Sequence, residues 1–107
     1  MTVQNKEKLL NLLGLAKKAG RIALGHDAVL EAVKKKKAAL ILLAADASAR
    51  LEQEMERECA FAHLAAEIVR TEVTMEDIGR ALPRKAGVIS VNDPSFAQAM
   101  KTIIEEG

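Results

Sequence analysis

The chain is short of aromatic residues and of cysteine. It has no Trp, no Tyr and two Phe in 107 residues, so its core must be built from aliphatic side chains and methionine. The scarcity of aromatic rings argues against a platform on which single-stranded bases stack. Cys59 is the sole cysteine, which excludes an intrachain disulfide and a cysteine-built metal site. Cysteine used in this way is typical of a reducing compartment, and we expect a cytoplasmic protein.

Long apolar segments are also missing. The longest uninterrupted apolar run, 38–45, is far shorter than the roughly 20 residues that a membrane-spanning helix needs. The first eight residues lack the apolar stretch of a signal peptide. Half of the chain is apolar, which is enough for one packed core. We therefore expect a single domain over residues 1–107.

Net charge does not identify a partner, because the formal value is only +1. The distribution of charge is more informative. Basic residues cluster at Lys17-Lys18, Arg21, Lys34–Lys37 and Arg84-Lys85, and acidic ones at Glu52, Glu54, Glu56 and Glu58. A chain with both kinds of cluster can be neutral overall and still present one basic face.

The first half of the chain alternates helical and extended patterns. Apolar spacing predicts a helix that ends at Gly20, then a short strand over 21–24. His26-Asp27 opens a second helix, which ends in Lys34–Lys37, where cations suit the negative end of the helix dipole. The continuous apolar run 40–44 predicts a strand covered on both faces, hence central in its sheet.

Capping patterns mark the helices of the second half. Ser48 is a predicted N-cap, Thr74–Asp77 a capping box, and Asp93-Pro94 a helix start. Pro83 is expected to close the fourth helix. The remaining strands are predicted around Ile68-Val69 and over Val88–Val91. A helix followed by four strand–helix units implies a sheet between helical layers.

The sequence assembles no catalytic set. Cys59 and His63 would share a helix face if the third helix extended that far, as a thiol–imidazole pair requires. Cys59 also continues the apolar stripe of Leu51 and Met55, which favours a core position. The glutamates over 52–58 favour a solvated face, and no phosphate-binding glycine loop is present. We expect no enzymatic activity, no cofactor and no metal.

Residues 14–25, GLAKKAGRIALG, form the most informative segment. They deliver a helix end, a strand and then a helix start whose free N–H groups and positive dipole end suit a nucleic-acid backbone. Gly25 permits close approach because it has no side chain. Three basic residues of the segment can contact phosphates: Lys17, Lys18 and Arg21. A tight turn at Gly25 with Asp27 as a helix cap explains the pattern equally well.

This segment resembles the start of the YlxQ-like bacterial branch of the kink-turn-binding ribosomal protein family, the archaeal L-seven-Ae and eukaryotic L-thirty-e superfamily. Three further blocks, 40–48, 77–82 and 88–96, agree with the family in order and spacing. Together the blocks cover nearly the whole chain. The resemblance implies an α/β fold: a three-layer α/β/α sandwich with a four-stranded mixed sheet and about five helices.

The resemblance also implies binding of structured RNA, and we expect the protein to be a monomer. In the family the RNA is typically a kink-turn, a sharply bent internal loop, and the setting is ribosomal RNA or ribosome assembly. Recognition uses the start of the second helix and the loop before the last strand. The matching positions are Gly25, His26, Asp27 and Ala28 in the helix, and Pro83, Arg84, Lys85 and Ala86 in the loop. Arg84 and Lys85 are expected to join Lys17, Lys18 and Arg21 in holding phosphates.

Two positions depart from the pattern of tight kink-turn binders, which carry Asn-Glu early in the second helix and a Lys three residues after the Glu. This chain has Asp27-Ala28 and Glu31. Ala28 cannot accept a hydrogen bond from a guanine edge, and Glu31 would repel phosphate. The pattern as a whole predicts RNA binding, whereas these two positions argue against classical kink-turn binding. A protonated His26 would donate to RNA, although an exposed histidine without a role fits equally well.

Two charged clusters leave alternatives open. The lysines over 34–37 are consistent with a solvated face, or with a wider basic surface for backbone contacts. The acidic residues over 52–58 could instead serve a basic partner, which would make the chain a protein-interaction module on the same fold.

Overall fold

A computed structural model describes residues 1–106 of the chain. Five helices and four strands alternate along it, as the sequence patterns predict. The helices are α1 (Val3–Lys18), α2 (His26–Lys34), α3 (Ala49–Phe61), α4 (Met75–Ala81) and α5 (Pro94–Glu106). The strands are β1 (Ile22–Leu24), β2 (Leu40–Leu43), β3 (Glu67–Arg70) and β4 (Val88–Val91).

The four strands form one mixed sheet in the order β1-β4-β2-β3. β4 is antiparallel to both β1 and β2, and β2 is parallel to β3. The ends of β1, β2 and β3 therefore lie at the same edge of the sheet as the start of β4. We call this the upper edge, because it carries the candidate site.

Two apolar clusters cover the two faces of the sheet. On one face, α1, α4 and α5 contribute side chains such as Leu13, Ile78 and Met100. On the other face, α2 and α3 contribute Val33 and Met55, among others. All four residues of β2 are buried, which confirms that its apolar run is central. The predicted three-layer α/β/α sandwich is confirmed.

The predicted helix caps are present. The Ser48 hydroxyl accepts from Leu51 N at 3.1 Å, and Thr74 and Asp77 form a reciprocal capping box. Asp93 Oδ1 accepts from Ser95 N at 2.7 Å and from Phe96 N at 3.1 Å. Side-chain caps of this kind satisfy backbone N–H groups that a helix leaves free at its start.

Arg70 braces the upper edge of the sheet, a role that its sequence context does not predict. Its guanidinium donates to the carbonyl oxygens of Ala44, Ala45 and Ala47 at 3.0, 3.3 and 2.8 Å. It also pairs with Glu52 Oε1 at 2.7 Å. These contacts hold the loop between β2 and α3 in one conformation, so the upper edge offers a rigid support for its neighbouring loops.

Candidate functional site

The sheet order brings the start of α2 next to the loop that precedes β4. Because β1 and β4 are antiparallel neighbours, the residue after β1 faces the first residue of β4, and Gly25 N donates to Val88 O at 3.0 Å. Arg84 Nη2 donates to Leu24 O at 2.6 Å, which fixes the loop over 82–87 against the end of β1. The two predicted recognition elements therefore form one surface.

The start of α2 carries no side-chain cap. Gly25 is the N-cap residue at φ 90°, a conformation that favours glycine. Among residues 1–106, no acceptor is bonded to the N–H groups of His26, Asp27 or Ala28. A Cβ at position 25 would lie 3.2 Å from Arg84 Nη2. The helix therefore points free donors and its positive dipole end outward, beside a guanidinium group.

Lysines from the end of α1 border the same surface. Lys17 lines a hollow whose other walls include Leu24, Ala28, Pro83 and Arg84. An adjoining hollow is lined by Lys17, Lys18, Pro83 and the exposed Leu15. The predicted residues Lys17, Lys18, Ala28, Pro83 and Arg84 thus meet around one point, although they come from three separate segments.

Arg21 lies away from this point. It precedes β1, whereas Gly25 follows it, and a separation of four residues in a strand is about 13 Å. The Arg21 carbonyl accepts from Asn92 N at 2.7 Å, and its Nε lies 3.9 Å from Asp93 Oδ2. The structure therefore places Arg21 at the opposite edge of the sheet from Arg84.

The loop packs against α4 at Lys85 and turns inward at Ala86. The side chain of Lys85 crosses α4 so closely that a Cβ on Gly79 would lie 2.6 Å from Lys85 Cγ. Ala86 is 6% exposed and belongs to the core. A contact between RNA and Ala86 can therefore involve its backbone but not its methyl group, whereas Pro83 and Arg84 are exposed.

His26 is held by two carboxylates. Its Nε2 lies 2.8 Å from Glu54 Oε2, and its Nδ1 lies 3.1 Å from Asp27 Oδ1. The hydrogen bond with Asp27, and then that with Glu54, raises the pKa of His26. The side chain is 45% exposed, so the ring joins α2 to α3 while one side of it still faces solvent.

The sequence is similar to a known protein family and to two named bacterial proteins. The profile of the ribosomal protein L7Ae/L30e/S12e/Gadd45 family matches residues 7–101. The chain belongs to this family. RNA-binding protein YlxQ of Enterococcus faecium is 28% identical over 106 residues, which cover 98% of this chain and 99% of the relative. The protein of the same name from Bacillus subtilis is 27% identical over 95 residues, covering 88% and 92%.

Two solved structures share the fold. A Bacillus halodurans protein of unknown function superposes with a TM-score of 0.79 at 26% identity, covering 92% of this chain and 97% of that one. The Giardia lamblia 15.5kD RNA binding protein gives a TM-score of 0.69 at 20% identity, covering 99% and 89%. At that identity the second likeness concerns the fold alone.

Glu31, one of the two departures from the pattern expected of the L7Ae/L30e family, is paired with a lysine. Glu31 Oε1 lies 2.6 Å from Lys35 Nζ, one helical turn further along α2. This hydrogen bond lowers the pKa of Glu31, which therefore stays ionised. The lysine offsets the negative charge that would otherwise repel a phosphate. The spacing of four residues was the available sequence signal for this pair. At the other departure, the small side chain of Ala28 leaves space, since Ala28 lines two hollows of the surface.

Cys59, His63 and two glutamates of the acidic cluster lie outside the candidate RNA surface. Cys59 is 5% exposed, and burial raises the pKa of its thiol, as a core position predicts. His63 lies beyond the end of α3 at φ 55°, so the two do not share a helix face. Glu52 and Glu54 are committed to Arg70 and His26. Within residues 1–106, no group of three potential ligands could hold a metal ion, and no helix is long and apolar enough to cross a membrane.

Proposed function

We propose that this protein binds structured RNA through the surface formed by the start of α2 and by Pro83 and Arg84 of the loop over 82–87. The observation that carries the proposal is the contact of Arg84 with Leu24 O beside the uncapped start of α2. Arg84, Lys17 and Ala28, which belongs to the first turn of α2, line one concave surface beside this contact. A guanidinium group, an ammonium group and free helix N–H groups each bind phosphate or a base edge, and together they suit a folded RNA backbone.

Family membership supports the same conclusion. Curated relatives that match nearly the whole chain carry the name RNA-binding protein YlxQ. We propose that the preferred ligand is a bent internal loop of the kink-turn kind, probed by shape more than by base sequence. Ribosomal RNA is the proposed natural source, with a role in the ribosome or its assembly. The protein acts without catalysis or cofactor, as a single-domain monomer in the cytoplasm.

A titration with two matched RNAs tests the preference for a bent loop. One RNA carries a sheared G·A internal loop, and in the other the loop is replaced by Watson–Crick pairs, with both measured at the same salt concentration. We expect the bent RNA to bind at least about tenfold more tightly, because only its backbone fits the concave surface. Equal affinities would remove the bent-loop proposal. Absence of binding to either RNA would overturn RNA binding itself.

Crosslinking in cells, followed by sequencing of the recovered RNA, tests the proposed source. Enrichment of ribosomal RNA at bent internal loops is the expected result. Recovery of a protein partner with no RNA would favour an interaction module instead.

A further inference from the structure

We infer that the protein has a second RNA contact, formed by the lysine turn after α2, that binds the backbone of a double-stranded stem next to the bent loop. This inference rests on the proposed function and extends it to a part of the ligand. It concerns Lys34, Lys36 and Lys37, which the first contact surface does not include. We call these three residues the lysine turn.

A continuous trough joins the lysine turn to the start of α2. The hollow beside Arg84 and the hollow beside Lys37 share two lining residues, Ala23 and Ala28. Their common floor lies between the edge strand β1 and helix α2. Because the shared residues have only methyl side chains, a ligand backbone can approach closely along this floor. We call the two hollows together the β1 trough.

The far end of the β1 trough is positively charged. Lys35 and Lys37 line it together with Glu31, Ala32 and Asn92, whereas Lys34 and Lys36 are chain neighbours of Lys37 and are not among the lining residues. Lys35 is occupied by Glu31, but Lys34, Lys36 and Lys37 have no carboxylate partner among residues 1–106. The Glu31–Lys35 pair removes the negative charge from the middle of the trough. Cationic groups therefore stand at both ends with no uncompensated acid between them.

The lysine turn has a defined backbone. Lys36 N donates to Val33 O at 3.0 Å, and Lys37 N donates to Ala32 O at 2.8 Å. Lys36 adopts φ 58° to close this helix end. Lysines in the last turn of a helix stabilise its dipole, but Lys36 and Lys37 lie beyond α2. The ordered turn fixes the backbone from which these two side chains extend.

The distance between the start of α2 and the lysine turn suits contacts with a double-stranded stem. α2 has nine residues, so it is about 13 Å long, a length that spans several base-pair steps of an RNA stem. Double-stranded RNA is bound mainly through phosphates and 2′-hydroxyls along its shallow groove. A stem leaving the bent loop along the β1 trough would bring its phosphates to the lysine turn. Arg21, whose carbonyl bonds Asn92, lies at this same end of the sheet.

Stem length and lysine charge can be varied together to test the inference. The test variant combines Lys34→Gln, Lys36→Gln and Lys37→Gln, and leaves the Glu31–Lys35 pair intact. The control variant combines Lys8→Gln, Arg57→Gln and Lys101→Gln, which removes the same charge from positions outside the trough. Each protein is titrated with a bent-loop RNA whose two stems have about ten pairs, and with versions in which one stem is cut to about two pairs.

We expect the wild type and the control variant to lose about tenfold in affinity when one particular stem is shortened. The lysine-turn variant should bind the long-stem RNA about tenfold more weakly than wild type, and shortening that stem should have no further effect. Its plot of log affinity against log salt should be shallower by two to three, since each lost phosphate contact contributes about one.

Two results would overturn the inference while leaving the proposed function intact. One is a lysine-turn variant that binds the long-stem RNA as tightly as the wild type does. The other is a wild type whose affinity depends on neither stem. A wild type that binds none of these RNAs would instead overturn the proposed function, and the inference with it.

Discussion

Gly20 and Gly25 both have positive φ angles, but their surroundings differ. Their φ angles are 70° and 90°, where a residue with a Cβ is strained. A Cβ at position 20 would meet nothing within 4 Å, whereas one at position 25 would lie 3.2 Å from Arg84 Nη2. Gly20 therefore serves only the turn after α1, whereas Gly25 also makes room for Arg84 over the start of α2.

We predict that alanine at these two positions will separate stability from binding. Gly20→Ala should lower the free energy of unfolding by about 1–2 kcal/mol. Gly25→Ala should lower it by about 1–3 kcal/mol, because φ 90° with ψ 168° is a conformation nearly restricted to glycine. Only Gly25→Ala should also weaken RNA binding, because its methyl group displaces the Arg84 guanidinium. Denaturant titrations and RNA titrations of the two variants provide the measurement. Equal loss of RNA affinity in both would contradict the assigned role of Gly25.

His26 is a residue whose charge depends on pH. Its contacts with Asp27 and Glu54 raise its pKa in the folded protein, so folding favours the protonated ring. The resulting stabilisation is fully present below the ordinary histidine pKa, and it is lost as the pH rises through the raised value.

The expected result is a pH-dependent effect of His26→Gln. The variant should be less stable than wild type at about pH 5, and the difference should disappear at about pH 9. Parallel chemical denaturation of both proteins across this range measures it. A difference in unfolding free energy that stays constant with pH would show that the two carboxylate contacts do not depend on the charge of the ring.

At the scale of elements, α4 and the loop that follows it are packed unusually closely. Gly79 lies inside α4, and the Lys85 side chain runs over it. Gly14 lies inside α1, where an added Cβ would have no neighbour within 4 Å. These two helix-interior glycines form a natural pair of test and control.

Replacing each glycine by alanine should change the free energy of unfolding in opposite directions. Alanine is favoured over glycine inside a helix by about 1 kcal/mol, so Gly14→Ala should raise the free energy of unfolding by about that amount. Gly79→Ala should lower it by about 1–3 kcal/mol, because its methyl group would lie 2.6 Å from Lys85 Cγ and push the loop away from the sheet. Thermal or denaturant unfolding of the two variants measures these changes. Stabilisation by both substitutions would show that the loop moves aside without cost.

Elements governed by local patterns were predictable from the sequence. The caps at Ser48, Thr74 and Asp93 depend on residues two or three positions away, and all three are present. The central position of β2 follows from its unbroken apolar run. Sheet order is different, because it depends on contacts between distant segments. The resemblance to the family supplied the expectation of a mixed sheet, which the residues alone did not.

For the site as well, features set by neighbouring residues are predictable from the sequence, whereas contacts between distant segments are not. The start of α2 was recognisable from Gly25 and the residues after it. The contact of Arg84 with Leu24 O joins residues 60 positions apart, and it exists because β1 and β4 are neighbours. Arg21 was grouped with Lys17 by sequence proximity, but a strand carries it to the far edge of the sheet. Distances across a sheet cannot be judged from spacing along the chain.

For the whole molecule, ion pairing explains how a nearly neutral chain presents a basic surface. Several carboxylates are paired on other surfaces, for example Glu52 with Arg70 and Glu67 with Lys101. Lys17, Lys18 and Arg84 have no carboxylate partner among residues 1–106. A net charge of +1 therefore coexists with a concentrated positive surface at the start of α2, where phosphates would be attracted.

The central claim is that this surface is where RNA binds, and Arg84→Ala tests it most directly. The matched control is Arg57→Ala, which removes an equal charge from an exposed position on α3. Titration of a bent-loop RNA at fixed salt should show a loss of about 10- to 100-fold for Arg84→Ala, as expected for a charged hydrogen-bonding group. Arg57→Ala should bind within about twofold of wild type. Equal affinities of the two variants, with both confirmed to be folded, would contradict the assignment of the RNA site.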